Sequence, residues 1–307
     1  MSNFSPSAVI DPCVGVLAGP RPAPAHTPFW TGPTVAKRLA NLDWTVVLGI
    51  AGMHLACLAA PFTFTWSGLI VFGVGIYLCA GLGICLGYHR LLTHGSFKCP
   101  RWVKWSLALL GALSWQGGPV QWVGVHRLHH KDSDQPDDPH SPRHGFVWSH
   151  MLWCMVRNPH ARNPRDAARD LQRDPVVAWI DRWFVLPQVL LAALLFTAGH
   201  YLCDAGLSWL VWGVAVRTVV SYHSTWFVNS AAHTWGYRNF ATSDGSRNLW
   251  WVAFLSFGEG WHNNHHAQQR SAAHGMRWWE LDLTYLTIRL MGLLGLARDI
   301  VRPSAPH

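Results

Sequence analysis

Between Arg38 and Arg90 the chain carries no lysine or arginine, and Asp43 is the only acidic residue in that interval. A stretch this long and this free of charge has few folded solutions in water. It reads as two membrane-crossing helices, roughly 44–61 and 66–88, each close to the ~20 residues that cross a bilayer. The link Pro61-Phe62-Thr63-Phe64-Thr65 is short enough only for a hairpin turn. The same pattern returns between Arg182 and Arg217, where helices at about 183–202 and 207–228 form a second hairpin that turns near Gly199 to Gly206. Arg217 falls inside the last of these: it either snorkels to the polar end, or lines a cavity or pairs with an acid. Both outer turns lack lysine and arginine, so the positive-inside rule puts both termini and the polar regions in the cytoplasm. The expected fold is therefore all-α and integral to the membrane, with four spans in two hairpins.

The remaining segments fit that frame. Residues 1–35, rich in Pro, Ala, Ser and Gly, read as a disordered cytoplasmic arm that meets the membrane near Phe29 and Trp30. Residues 36–300 form the membrane domain and 301–307 a short tail. Apolar pieces at 105–115, 145–156 and 249–257 are too short to span, and a helix over about 278–299, with Trp278 and Trp279, suits the interface. The net charge of +8 is spread over loops beside apolar spans, without basic runs, which argues against a nucleic-acid partner. The seven cysteines form no Cys-x-x-Cys pair and read as free thiols. No signal-peptide pattern opens the chain.

The polar regions carry the chemistry. His126, His129 and His130 stand at i, i+3 and i+4, so a helix points all three to one face. The spacing recurs at His262, His265 and His266, and His89, His94 and His233 complete nine clustered histidines. Stacked imidazoles repel one another once protonated and are best held neutral by metal. One metal takes four to six ligands, so nine suggest two metals close together. A structural zinc is one occupant; iron suits imidazole equally well. The remaining histidines share no spacing and read as structural or surface residues.

The stretches Tyr-His-Arg-Leu-Leu-Thr-His (88–94), His-Arg-Leu-His-His (126–130) with Asp-Pro-His (138–140), Asn-Ser-Ala-Ala-His (229–233) and Gly-Glu-Gly-Trp-His-Asn-Asn-His-His (258–266) stand in an order that resembles the membrane fatty acid desaturase family. The likeness covers roughly residues 40–300, is closest to Δ9 stearoyl-type acyl desaturases, and Gly117-Gly118-Pro119 looks like the bacterial branch, hence a bacterial cytoplasmic membrane. It implies a cytoplasmic cap over the four spans, holding two iron ions on the nine clustered histidines, with Asn229 reaching metal through water. It further implies O2 as oxidant, removal of two hydrogens from adjacent methylenes, and two external electrons per turnover.

Finer carry-over follows from the same resemblance. Tyr77 and Gly81 match the pair closing the far end of the acyl tunnel, with helix packing as the alternative. Gln116, Trp122 and Thr225 match residues around the substrate kink, or are satisfied polar groups of an ordinary core. Arg127 and Arg157 match basic head-group positions. Val125, Gln121 and Asn158 depart from the acyl-CoA pattern, which leaves the acyl carrier open among coenzyme A, acyl carrier protein and a lipid. Glu259 and Asp138 are expected to orient imidazoles, whereas Asp132 and Asp134 read as a solvated loop. No His-Pro-Gly-Gly motif is present, so a separate donor such as ferredoxin, or cytochrome b5 with its reductase, supplies electrons. A di-iron lipid hydroxylase is the nearest rival. A metal transporter would place histidines along the spans, where only His54, His200 and His223 lie, without a shared motif.

Overall fold

The computed structural model describes residues 40–157 and 162–304, so the arm at 1–35 and Asn158 lie outside the described residues. Those residues are helical, with no strand beyond isolated bridges. Helix α1 (Trp44–Ala56) starts at Asp43, whose carboxylate accepts from the backbone N–H of Thr45 and Val46. It tightens into a 3₁₀ turn, Cys57–Thr63, that contains Pro61. Helix α2 (Trp66–Ile76) is capped by Thr65 and continues as a π-helical run, Tyr77–Thr93. Helices α3 (Arg101–Ala112), α4 (Pro119–Lys131), α5 (Phe146–His150) and α6 (Pro175–Arg182) follow. Helix α7 (Val185–Cys203) precedes α8 (Gly206–Leu210), which passes through a π-helical stretch, Val211–Val216, into α9 (Arg217–Ser230). Helices α10 (His262–Ala267) and α11 (Leu283–Leu293) close the chain.

Three helical runs are long and apolar enough to cross a membrane: Trp44–Thr63, Trp66–Thr93 and Val185–Cys203. The fourth expected span is an unbroken helical run from Gly206 to Ser230 but is not among them. Its second half carries Arg217, Thr218, Ser221, Tyr222, His223 and Ser224, which lower its apolarity. The last helix is shorter than the expected 278–299, because Asp282 caps it at Leu283 by accepting from the Tyr285 N–H, 2.8 Å. Its Leu286, Leu290 and Leu293 are exposed, as is Trp278.

Packing joins these shorter helices to the second long apolar run. Ile84, Tyr88, Val120, Val123, Val177 and Ile180 form one core that joins the end of the second span to α4 and α6. Glycine lets α3 lie directly on that span end: a Cβ on Gly83 would strike the backbone of Leu110 and Gly111. Burying side chains of this kind stabilises by about 1.5–3 kcal/mol each.

Arg217 resolves differently from both sequence alternatives. Its side chain is fully buried and donates to the carbonyls of Gly213 (2.7 Å) and Leu113 (2.7 Å) and to Gln188 Oε1 (2.9 Å). It neither snorkels nor meets an acid; it ties α7, α9 and the end of α3 through neutral acceptors. The span histidines also find partners that sequence spacing hides. His54 Nε2 lies 3.1 Å from His223 Nε2, His223 Nδ1 lies 2.9 Å from His150 Nε2, and His150 Nδ1 lies 3.0 Å from Ser230 Oγ. This chain is separate from the nine clustered histidines.

Candidate metal centre

The odd spacing of His89 and His94 is explained by the π-helical winding that carries them. Hydrogen bonds there run across five residues, as from His94 N–H to the His89 carbonyl (3.2 Å), so a side chain five positions on returns to the same face. Their rings stand 4.8 Å apart. On α4, Pro119 occupies the first turn after Gly118, and the helix then presents His126, His129 and His130. On α10, His262, His265 and His266 face inward while the two asparagines between them anchor the other side. Asn263 Oδ1 accepts from the N–H groups of Asn239 and Phe240, and Asn264 donates to Glu280 (2.8 Å) and the His274 carbonyl (2.8 Å).

The nine imidazoles sort into two groups. His89, His94, His126, His130 and His265 form one; His129, His233, His262 and His266 form the other. Within the first, Nε2 atoms lie 3.1 Å (His89 to His265), 2.9 Å (His265 to His130) and 3.0 Å (His130 to His126) apart. Within the second, they lie 3.0 Å (His233 to His262), 3.0 Å (His262 to His266) and 3.4 Å (His266 to His129) apart. A metal at about 2.1 Å from two imidazole nitrogens at right angles sets those nitrogens about 3.0 Å apart.

Four carboxylates settle which nitrogen carries the proton. His89 Nδ1 lies 2.7 Å from Glu259 Oε2, His129 Nδ1 3.0 Å from Asp138, His233 Nδ1 3.2 Å from Asp134 and His266 Nδ1 2.7 Å from Asp244. With the proton on Nδ1, the Nε2 lone pairs converge on one another, an arrangement that a cation relieves. His94 Nε2 is buried with no hydrogen-bond partner. Burial first, and neighbouring imidazoles second, hold His94, His126, His130, His262, His265 and His266 well below the usual histidine range, so they stay neutral. At His129 burial pulls downward, but the charge and hydrogen bond of Asp138 overcome it and the net shift is upward. The donor set thus fits two metal ions: imidazole nitrogens only, six of them held neutral by burial and four oriented from behind by a carboxylate.

Several residues outside the sequence expectation belong to this site. Asp134, expected in a solvated loop, is buried against His233 and also accepts from the Gly245 N–H. Asp244 holds His266 from another loop. His274 is fully buried, packs its ring 4.4 Å from that of His265 and lies 2.9 Å from Glu259 Oε2. His140 is buried too, with its ring 4.3 Å from that of His129, and burial with the His129 charge pushes its pKa down to about 3. Asp132 remains in a partly open loop with Arg162, 2.9 Å.

A cavity of about 1300 Å³ reaches the centre at His126 and Asn229. Asn229, one helical turn before His233, is buried there. Gln116, Trp122 and Thr225 share its wall and bond together: Gln116 Nε2 donates to Thr225 Oγ1 (3.1 Å), and Trp122 Nε1 to Gln116 Oε1 (3.4 Å). The Trp122 ring stacks on His126 at 5.2 Å. Arg157 lies on the wall, 2.9 Å from Asp43. Arg127 does not; it pairs with Asp170 (2.6 Å) and donates to two backbone carbonyls. Tyr77 and Gly81 do not line the cavity either. Tyr77 shares a hydrogen bond with Thr287 (2.8 Å) and sets its ring against Phe257, and a Cβ on Gly81 would touch that tyrosine.

Comparison with known proteins agrees with the site. The sequence profile described as Fatty acid desaturase matches residues 63–291. The chain is 47% identical to an sn-1 stearoyl-lipid 9-desaturase of Anabaena variabilis, over 85% of this chain and 94% of that protein. It is 46% identical to an sn-2 palmitoyl-lipid 9-desaturase of Nostoc sp., over 85% and 91%. An acyl-CoA 5-desaturase of Anemone leveillei is 42% identical over 85% and 80%. Two groups of converging imidazoles beside a deep cavity, carried on a chain matched over most of its length, therefore identify this protein as a member of the fatty acid desaturase family.

Proposed function

We infer that this protein is a Δ9-type acyl-lipid desaturase that places a cis double bond in a long saturated chain. The observation that carries the reading is the pair of imidazole groups at the end of the cavity, with Trp122 stacked on His126 where a chain would lie beside them. In this reading the chain spans the membrane four times, with Gly206–Ser230 as the fourth span. Its termini and histidines face the cytoplasm, and residues 36–300 act as one unit.

Two iron ions, held five-and-four by the nine histidines with Asn229 contributing through water, would activate O2 for hydrogen removal from two adjacent methylenes. Overall, the acyl chain loses two hydrogens, and O2 takes these with two electrons and two protons to give two waters. The protein's own part is positional. Glu259, Asp138, Asp134 and Asp244 orient the imidazoles and keep each Nε2 free. Gln116, Trp122 and Thr225 form the bonded wall that fixes the bend of the chain. Electrons come from a separate carrier such as a ferredoxin or cytochrome b5.

The lipid form of the substrate is favoured by charge. Three arginines and three aspartates line the cavity, and each arginine is paired: Arg157 with Asp43, Arg162 with Asp132 and Asp137, and Arg165 with Asp181. Among the described residues, the polyphosphate of coenzyme A finds no unpaired arginine there.

The test is the fatty-acid profile of a bacterial host expressing the chain beside its His129→Ala variant, with double bonds located by mass spectrometry of derivatised esters. A monounsaturated acid found only with the unaltered chain is expected. A hydroxy acid in its place would move the protein to the hydroxylases, and full activity of His129→Ala would remove the metal assignment.

A further inference from the structure

The cavity is lined in part by the first turns of two helices long and apolar enough to cross a membrane. Thr45, Val46, Gly49 and Ile50 lie along one side of α1 and line it; Phe184 and Val185, at the start of α7, line it too. Thr45 is exposed and Val185 is 41% exposed, so the walls are open where these helices begin. Two exposed tryptophans, Trp44 and Trp183, flank that opening, one beside each wall. Tryptophan at the ends of spans marks the membrane–water boundary. The opening therefore stands at head-group level, apolar toward the bilayer and bordered by the paired arginines on its polar side. A Cβ on Gly49 would meet nothing within 4 Å, so the space beside this helix is unfilled.

We propose that this gap between α1 and α7 is a lateral portal through which the acyl chain of a bilayer glycerolipid enters the cavity, its head group remaining at the interface. The inference rests on the acyl-lipid reading above but concerns the route, not the reaction. A chain delivered by a water-soluble carrier would enter from the polar side, where, among the described residues, every arginine lining the cavity is already paired with an aspartate. A chain already in the bilayer need only slide past Gly49 to reach Trp122 and His126.

The experiment reads position, not turnover. The full iron-loaded chain is reconstituted in phosphatidylcholine vesicles containing a trace of phosphatidylcholine with a photoreactive diazirine in mid-chain. After irradiation, labelled peptides are located by mass spectrometry. Adducts are expected on Trp122 and Thr225, which line the cavity. They should be lost in Gly49→Phe and in the rim variant Thr45→Trp. They should persist in Gly52→Phe, since Gly52 is exposed and outside the cavity wall. Iron content should match in all four proteins. Absent inner adducts, or adducts indifferent to Gly49 and Thr45, would overturn the portal even if unsaturated lipid forms. Inner adducts that respond as stated, without any unsaturated product, would leave the portal standing and overturn the desaturase reading.

Discussion

His89 and His274 share one carboxylate oxygen: Glu259 Oε2 lies 2.7 Å from His89 Nδ1 and 2.9 Å from His274 Nδ1. The other oxygen of Glu259 accepts from Arg90 Nε (3.1 Å) and Nη2 (3.0 Å), and Arg90 Nη1 reaches Asp282 at 2.9 Å. A fully buried arginine thus holds a buried acid that in turn holds a histidine of the metal centre.

That lattice predicts the outcome of Glu259→Gln. The amide keeps the shape but loses the charge that draws the His89 proton to Nδ1, while Arg90 keeps Asp282. Iron affinity should fall roughly 10- to 100-fold, as for other groups that orient metal-bound histidines. Iron titration of the purified protein measures it; unchanged affinity would make Glu259 a partner of Arg90 only.

Arg217 gives a stability prediction. Replacement by Met leaves the Gly213 and Leu113 carbonyls and Gln188 Oε1 without their donor. Each buried unsatisfied group costs ~1–3 kcal/mol, so the thermal midpoint in detergent should drop markedly. Lysine, with no planar fork, should restore little of it. A midpoint unchanged in Met would show that water replaces the guanidinium.

His150 supplies a pH dependence. Burial first, and His223 second, push its pKa from 6.5 to about 4. The folded state therefore resists a proton that the unfolded chain accepts, so this contribution to stability is present above pH 6.5 and lost as pH falls toward 4. Unfolding midpoints measured between those limits should slope less in His150→Gln than in the parent. Parallel slopes would mean that His150 takes up its proton normally when folded.

Tyr77 and Gly81 offer a sharp test between packing and chain length. Gly81 faces the Tyr77 and Phe257 rings, away from the cavity wall. Gly81→Leu should lower stability and leave product length unchanged. Shorter products at unchanged stability would instead put the tunnel end at this pair.

The histidine cluster was readable in sequence because its imidazoles obey local rules: two triplets at helical spacing, each presenting one stripe. The charge-free intervals likewise marked four helices, three of which are long and apolar enough to cross a membrane. Glu259 and Asp138 stand close enough to the histidine stretches in sequence to be expected behind imidazoles, but Asp244 meets His266 and Glu259 meets His274 only through loop paths that carry no periodicity. Asp134 looked solvated because it sits among other acids, yet its backbone adopts a left-handed turn (φ 58°) that folds it inward. The fourth helix, expected at 207–228 and helical from Gly206 to Ser230, is less apolar than the other three. Its polar residues face the interior, where Tyr222, Thr225 and Asn229 look into the cavity.

The π-helical winding of Tyr77–Thr93 has a consequence for insertions and deletions. Such a segment behaves as an α-helix into which extra residues have been admitted, and the register of everything beyond depends on them. Removing a single residue between His89 and His94 would let the coil relax to ordinary winding and rotate one imidazole off the shared face. The segment should therefore accept many apolar substitutions yet tolerate no change in length.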